Sequence, residues 1–181
     1  FHVNAFYINN VDFRRFANKC LVKKPKFLIG YASALVEFAK YVEGNKLPIR
    51  LEFIESTAEY LSDKMRQKVG EVFACKVYDR YGCREVGNIA HECNASNGLH
   101  IDWQSVYVEI INKGKYPWIG PEYGDIVITS LKNKAMPLIR YFVSDIGKID
   151  HSICECGMVS PRLYLGGARS LDILYACNGA M

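Results

Sequence analysis

One nine-residue stretch, Asp79-Arg80-Tyr81-Gly82-Cys83-Arg84-Glu85-Val86-Gly87, gathers groups that can handle a phosphate or a metal ion. Glu85 follows a glycine-containing turn, and a carboxylate so placed can hold Mg²⁺, a hard cation that takes oxygen ligands and bridges to phosphates. Glu59 and Asp79 each fall at or just past the end of an apolar run and are read as facing one crevice at the carboxyl ends of parallel strands. Asp145, between two strand-like patterns, can accept two hydroxyl hydrogen bonds from a ribose. Arg169 and Asp172, taken alone, read as a surface ion pair worth little.

A second set is sulfur and imidazole. Cys93 and His100 flank the turn Asn94-Ala95-Ser96-Asn97-Gly98, and Cys154 and Cys156 bracket Glu155 ahead of Gly157. Two knuckle-like pairs far apart in sequence are what a structural tetrahedral Zn²⁺ site needs. The Cys-x-Cys spacing is tighter than usual, and His91 is close enough to supply the nitrogen in place of His100. Cys20 and Cys75 sit on apolar faces and read as buried thiols. Cys83 lies beside Arg84 but has no identifiable base, so it is not read as a nucleophile. Gly-x-Ser-x-Gly, Walker and His-Glu-x-x-His motifs are absent from the sequence.

These groups need a scaffold, and the chain up to Tyr81 provides an alternating one. Asp12 is a suitable N-cap for a helix whose apolar face is Phe13, Phe16, Ala17, Cys20 and Leu21. Phe27-Leu28-Ile29 reads as a strand, residues 32–42 as a helix stopped by Gly44, and Leu51 to Ile54 as a strand. Ser62 caps a third helix with Met65, Val69, Val72 and Phe73 inward, and Cys75 to Tyr78 is the next strand. Strands joined by helical crossovers must run parallel. From Asn88 the pattern changes to period two, with strands over residues 106–111, 126–131, 137–142 and 146–149. The expected fold is α/β (α+β overall): a βα parallel-sheet half over 1–87, then a mostly antiparallel sheet or distorted barrel over 88–172 carrying the zinc ligands, and a terminal segment 173–181.

Composition bounds the reading. The 181 residues are 50% hydrophobic and 23% charged, ordinary for a globular chain, and no apolar run approaches a membrane span. A net charge of +4, with lysines clustered only at Lys19, Lys23, Lys24 and Lys26, does not make a nucleic-acid surface. Seven cysteines, an odd number, and no secretory signal predict a reducing, cytoplasmic setting in which close cysteines point to metal before disulfide.

Taken in order, the motifs resemble the adenylate-forming (acyl/aryl-CoA synthetase) superfamily, in its phenylacetate–CoA ligase-like and capsular-polysaccharide-biosynthesis-like branch. The matching pieces are residues 25–31, Ser56-Thr57-Ala58-Glu59, Asp79 to Glu85, His91-Glu92-Cys93, Gly98-Leu99-His100, Ala135 to Tyr141 with Asp145, Cys154-Glu155-Cys156-Gly157, and Arg169 to Asp172. The resemblance implies a ligase that activates a carboxylic acid with ATP and Mg²⁺ to an acyl-adenylate and transfers the acyl group to coenzyme A. It implies Ala58 and Glu59 along the adenine, Asp79, Tyr81 and Gly82 near the base and acyl group, and Glu85 on Mg²⁺. It implies Asp145 on the ribose, Arg169 near ribose or phosphate, and Asp172 at a domain hinge. Arg84 stands where the family has Thr or Ser and is counted with Glu85 as catalytic; an arginine can grip phosphate bidentately. Phe142 replaces the usual Arg after the tyrosine.

The family's upstream phosphate loop and its C-terminal lysine domain do not appear, so the chain is expected to be a fragment with little turnover by itself. Two alternatives follow: a non-catalytic zinc-stabilised domain, or an adenylate-forming transferase in surface-polysaccharide synthesis. Tyr81, Tyr31 and Trp103 hint at an aromatic acid, whose identity stays open, as does the oligomeric state.

Overall fold

The computed structural model describes His2 and residues 10–173. These form two compact units that divide between Arg80 and Tyr81. Of the segment expected at 173–181, only Ile173 lies among the described residues.

The first unit is built from α1 (Asn10–Lys23), β1 (Phe27–Tyr31), α2 (Ala32–Gly44), β2 (Phe53–Thr57), α3 (Asp63–Phe73) and the start of β3 (Lys76–Cys83). The three strands pair in parallel in the order β1-β2-β3, with Leu28, Ile54 and Val77 in one row. This is the arrangement that the helical crossovers require. The core forms where apolar helix faces meet: Phe13, Ala17 and Cys20 of α1, Leu35, Phe38 and Val42 of α2, and Val69 and Phe73 of α3 pack with Leu28, Ile54 and Val77. Phe38 is its centre, with rings of Phe13, Phe16 and Phe73 at 5.0–5.8 Å.

Local chemistry sets the helix ends. Ser62 caps α3 by accepting from the Met65 N–H at 3.3 Å, and Ala74 closes it in the left-handed region at φ 53°. α1 begins two residues before the expected cap, so Asp12 lies inside the first turn, where its charge favours the helix dipole. β2 runs to Thr57 because its polar end alternates: Ile54 and Ser56 are buried, Glu55 and Thr57 only partly. The apolar run, which ends at Ile54, predicts a strand that stops three residues sooner.

The second unit contains the end of β3, then β4 (Gly87–Glu92), β5 (Leu99–Ile101), β6 (Val106–Ile111), β7 (Gly124–Ser130), β8 (Tyr141–Asp150) and β9 (Arg162–Arg169). The order β4-β5-β9-β8-β7-β6 is antiparallel at the pairs β4–β5, β5–β9, β9–β8, β8–β7 and β7–β6, and these strands do not close into a barrel. Its core is Ile89, Ala90, Leu99, Ile101, Val106, Val108, Ile126, Ile128, Val143 and Leu163.

Three sequence expectations change here. The strand expected at Cys75 to Tyr78 continues to Cys83, so the polar stretch is strand for most of its length and turn only at Arg84-Glu85-Val86. The two strands expected over 137–142 and 146–149 are one strand, β8, with a register shift between Asp145 and Gly147 that broke the period-two pattern. β4, β5 and β9 were not anticipated. β5 has three residues, all buried, and so shows no alternation to read.

A buried polar network braces the β6–β7 connection. Asp125, 1% exposed, accepts from Asn112 at 2.8 Å, from Lys115 at 3.1 Å and from the hydroxyl of the fully buried Tyr116. Burial alone would raise the Asp125 carboxyl. The hydrogen bonds from Asn112, Tyr116 and Lys115 outweigh it and hold the group below its ordinary range.

Candidate functional site

The turn Arg84-Glu85-Val86 is held tight by glycine. A Cβ on Gly82 would overlap the Gly87 carbonyl oxygen, and Gly87 itself has φ 81°. This closeness fixes the direction in which Tyr81 leaves the end of β3 and Glu85 leaves the turn.

Tyr81 points at Asp145. Its hydroxyl donates to Asp145 Oδ2 at 2.6 Å, and Arg169 Nε lies 3.4 Å from Asp145 Oδ1. Burial, then the neighbouring carboxylate, push the Tyr81 phenol well above its usual range, so it stays a donor. Arg169 also donates to the Val143 carbonyl at 3.3 Å, and Ser170 N–H donates to the Ser144 carbonyl at 2.7 Å. Ser144, immediately before Asp145, adopts φ 66°, a conformation that a non-glycine residue takes only under local constraint. The constraint comes from β9: Asp145 stands opposite Arg169 in the β8–β9 register. An ionised carboxylate has about four lone-pair positions. Tyr81 and Arg169 use two, which leaves capacity for a diol.

Glu85 is exposed and accepts from the Tyr141 hydroxyl at 3.3 Å. Its own backbone N–H, the Cys83 thiol, Tyr141 and the charge of Arg84 together hold its carboxyl below the ordinary range, so it is ionised at neutral pH. Arg84 is exposed on the same turn. Tyr141 is a partner that sequence reasoning missed as a site residue. Nothing local marks it, because it meets Glu85 across 56 positions.

In the first unit Ala58 is exposed at φ 65°, and Glu59 is spent on α2: its carboxylate accepts from Ser33 N–H at 2.8 Å and from Ser33 Oγ at 3.0 Å. That satisfies an orphan donor at the helix start, where Tyr31 provides no side-chain cap. Asp79 is half-buried and accepts from the Arg80 N–H at 2.9 Å, while Arg80 pairs with Glu55 at 3.1 Å. Asp172 is exposed beyond β9, its N–H on the Arg169 carbonyl. Trp103 is exposed in the β5–β6 turn.

The four expected sulfur and imidazole groups meet. Donor atoms of Cys93, His100, Cys154 and Cys156 all lie within 4.8 Å of one another. His91 stands opposite His100 in the β4–β5 register but is exposed and outside the cluster; His100 is 1% exposed. Cys20 is buried as expected, and burial pushes its thiol up to about 11; Cys75 is only half-buried.

No family model matches the chain. It is 28% identical over 155 residues to a phenylacetate–coenzyme A ligase of Thermus thermophilus, covering 82% of this chain and 35% of the relative. It is 22% identical over 153 residues to the protein CapK of Staphylococcus aureus, covering 83% and 32%. Among solved structures, 2-hydroxyisobutyryl-CoA ligase with 2-HIB-AMP and CoA superposes with a TM-score of 0.74 at 19% identity, over 91% of this chain and 36% of the other. The chain resembles the adenylate-forming CoA ligases. Coronafacic acid ligase of Pectobacterium brasiliense extends the likeness, with a TM-score of 0.63 at 17% identity over 92% and 34%. The chain spans about a third of the length of the curated relatives that it matches. Among the described residues no helix is long and apolar enough to cross a membrane.

Proposed function

We propose that this chain supplies part of the nucleotide-binding wall of an AMP-forming acid–CoA ligase. The observation that carries the reading is the trio Tyr81–Asp145–Arg169, in which a half-buried carboxylate is oriented by a phenol and a guanidinium and retains free lone pairs. In a chain so similar to CoA ligases, that carboxylate suits the two ribose hydroxyls of AMP.

The reaction joins a carboxylate to the α-phosphate of ATP, releasing pyrophosphate, and then passes the acyl group to the thiol of CoA, releasing AMP. Neither step needs a protein nucleophile; both need placement and charge neutralisation. Asp145 binds the ribose, and Arg169 neutralises the charge that Asp145 would otherwise bring near phosphate. Glu85, exposed and ionised, is the residue here that fits Mg²⁺, which when bound supplies charge stabilisation at the phosphates. Arg84, on the same turn, is assigned to phosphate oxygens. Gly82 is assigned to the base and acyl side, while Glu59 holds the start of α2 through Ser33 within the first unit.

Isothermal titration of the 181-residue chain with a non-hydrolysable acyl-adenylate analogue tests the reading. Saturable binding that Asp145→Ala weakens by roughly a hundredfold is expected, since a charged acceptor of two hydroxyls is lost. Binding that Asp145→Ala leaves unchanged would show that the nucleotide is held elsewhere.

A further inference from the structure

The Cys93–His100–Cys154–Cys156 cluster takes no part in the site above, and its geometry is built. Cys93 Sγ lies 3.7 Å from Cys154 Sγ, and Cys156 Sγ lies 3.4 Å from His100 Nε2. A tetrahedral centre with metal–sulfur bonds of about 2.3 Å and metal–nitrogen bonds of about 2.0 Å has edges of roughly 3.5–3.8 Å. These two separations lie close to those edges, and all four donor atoms lie within 4.8 Å of one another. They do not match a disulfide, whose sulfurs sit about 2.05 Å apart.

The supporting groups are also in place. His100 Nδ1 faces the Ser160 carbonyl at 3.1 Å and the Ser160 hydroxyl at 3.0 Å, so it carries the proton and Nε2 presents a lone pair to the sulfurs. Ala95 N–H donates to Cys93 Sγ and Met158 N–H to Cys156 Sγ, each at 3.4 Å, which orients both sulfurs. The turns that carry these donors are closed by Ser96 N–H on the Cys93 carbonyl and Gly157 N–H on the Cys154 carbonyl, with Gly157 at φ 82°. Gly157 lets the chain leave this turn in the left-handed region without Cβ strain. Arg162 already holds the two loops together: it is 5% exposed and bonds the Asn97 carbonyl on one side and Asp150 and Ser152 on the other.

We propose that these four side chains bind one Zn²⁺ ion as a closed structural site fastening the β4–β5 turn to the β8–β9 loop. Three thiolates and one imidazole select a borderline-soft tetrahedral ion over the oxygen-preferring Mg²⁺ or Ca²⁺. Four protein ligands leave no open position for substrate, so the role is structural. The assignment is independent of the nucleotide reading and stands or falls without it.

The test uses the whole 181-residue chain purified without added metal. Elemental analysis should give close to one equivalent of zinc. Exchange for Co²⁺ should give the intense visible bands of a tetrahedral thiolate centre. Cys156→Ser should lose at least about a hundredfold in zinc affinity against a competing chelator, while Cys75→Ser, outside the cluster, should keep its full metal content. A wild-type chain with less than about a quarter-equivalent of zinc that cannot be loaded with Co²⁺ would overturn the proposal, whatever the variants do. So would a Cys93–Cys154 disulfide in freshly isolated protein, or equal zinc affinity in wild type and Cys156→Ser.

Discussion

Tyr81 and Asp145 are 64 positions apart in sequence and 2.6 Å apart in space, phenol donating to carboxylate. The bond joins the end of β3 to the kinked middle of β8, and Arg169 on β9 completes it from the other oxygen. If the carboxylate binds ribose, the phenol sets its orientation. Tyr81→Phe should weaken binding of an acyl-adenylate analogue by roughly tenfold, the worth of one hydrogen bond to a charged group. Titration calorimetry checks this, and unchanged affinity would reduce Tyr81 to a packing residue.

Glu85 offers a cleaner separation, because its assigned work depends on metal. Glu85→Gln should abolish the Mg²⁺-dependence of nucleotide binding and leave metal-free binding intact. The carboxyl is held below its usual range, so its charge is lost only as pH falls through that depressed value. Mg²⁺-dependent binding in the unmodified chain should therefore persist from neutral pH down to about 5, above the ordinary glutamate range. A loss already complete at pH 6 would point to a different ligand.

Asp125 carries a stability prediction. Asp125→Ala would leave Tyr116 and Asn112 without their buried acceptor and should cost about 2–4 kcal/mol, discounted for the partly exposed Lys115. The sign with pH follows from the lowered carboxyl. Its contribution is complete above the unfolded value of about 3.9 and disappears as pH falls through the lower folded value. The gap in urea midpoint between wild type and variant should be smaller at pH 3 than at pH 7. Equal midpoints at pH 7 would defeat the idea.

Two glycines make a matched pair. Gly82→Ala drives a Cβ into the Gly87 carbonyl, whereas nothing lies within 4 Å of a Cβ on Gly44. The first should lower stability by about 1–3 kcal/mol, and the second should be neutral or slightly stabilising. Denaturant unfolding of both variants decides, and a tolerated Gly82→Ala would mean that the turn relaxes freely.

How much of this could be read from sequence depends on the range of the interaction. Helices α2 and α3 were legible because a 3.6-residue apolar period and a Ser62 cap lie within one window, although Gly44 is the last residue of α2 and Asn45, not Gly44, is its C-cap. The parallel order followed from the crossovers alone. The sulfur cluster was legible as two pairs, since turn chemistry flags each, but the choice between His91 and His100 needed burial. Tyr141 on Glu85, Ser160 on His100 and Glu59 on Ser33 leave no local trace, because each partner is set by tertiary contact. β8 was split in two because the register shift beside Asp145 interrupts the alternation at the very residue of interest.

β8 and β9 run as paired rails, and their two marked rungs have different loads. Asp145 faces Arg169 at one end, and Asp150 faces Arg162 at the other, beside the cysteine loop. At about 3.3 Å per residue, the seven steps from Arg162 to Arg169 separate those ends by roughly 23 Å. The carboxylate assigned to ribose is thus aligned by a girder whose far end is bolted by the sulfur–imidazole loop. Stripping that bolt should first appear as faster amide hydrogen exchange spreading along β9 from Arg162, with the Asp145 end the last to loosen.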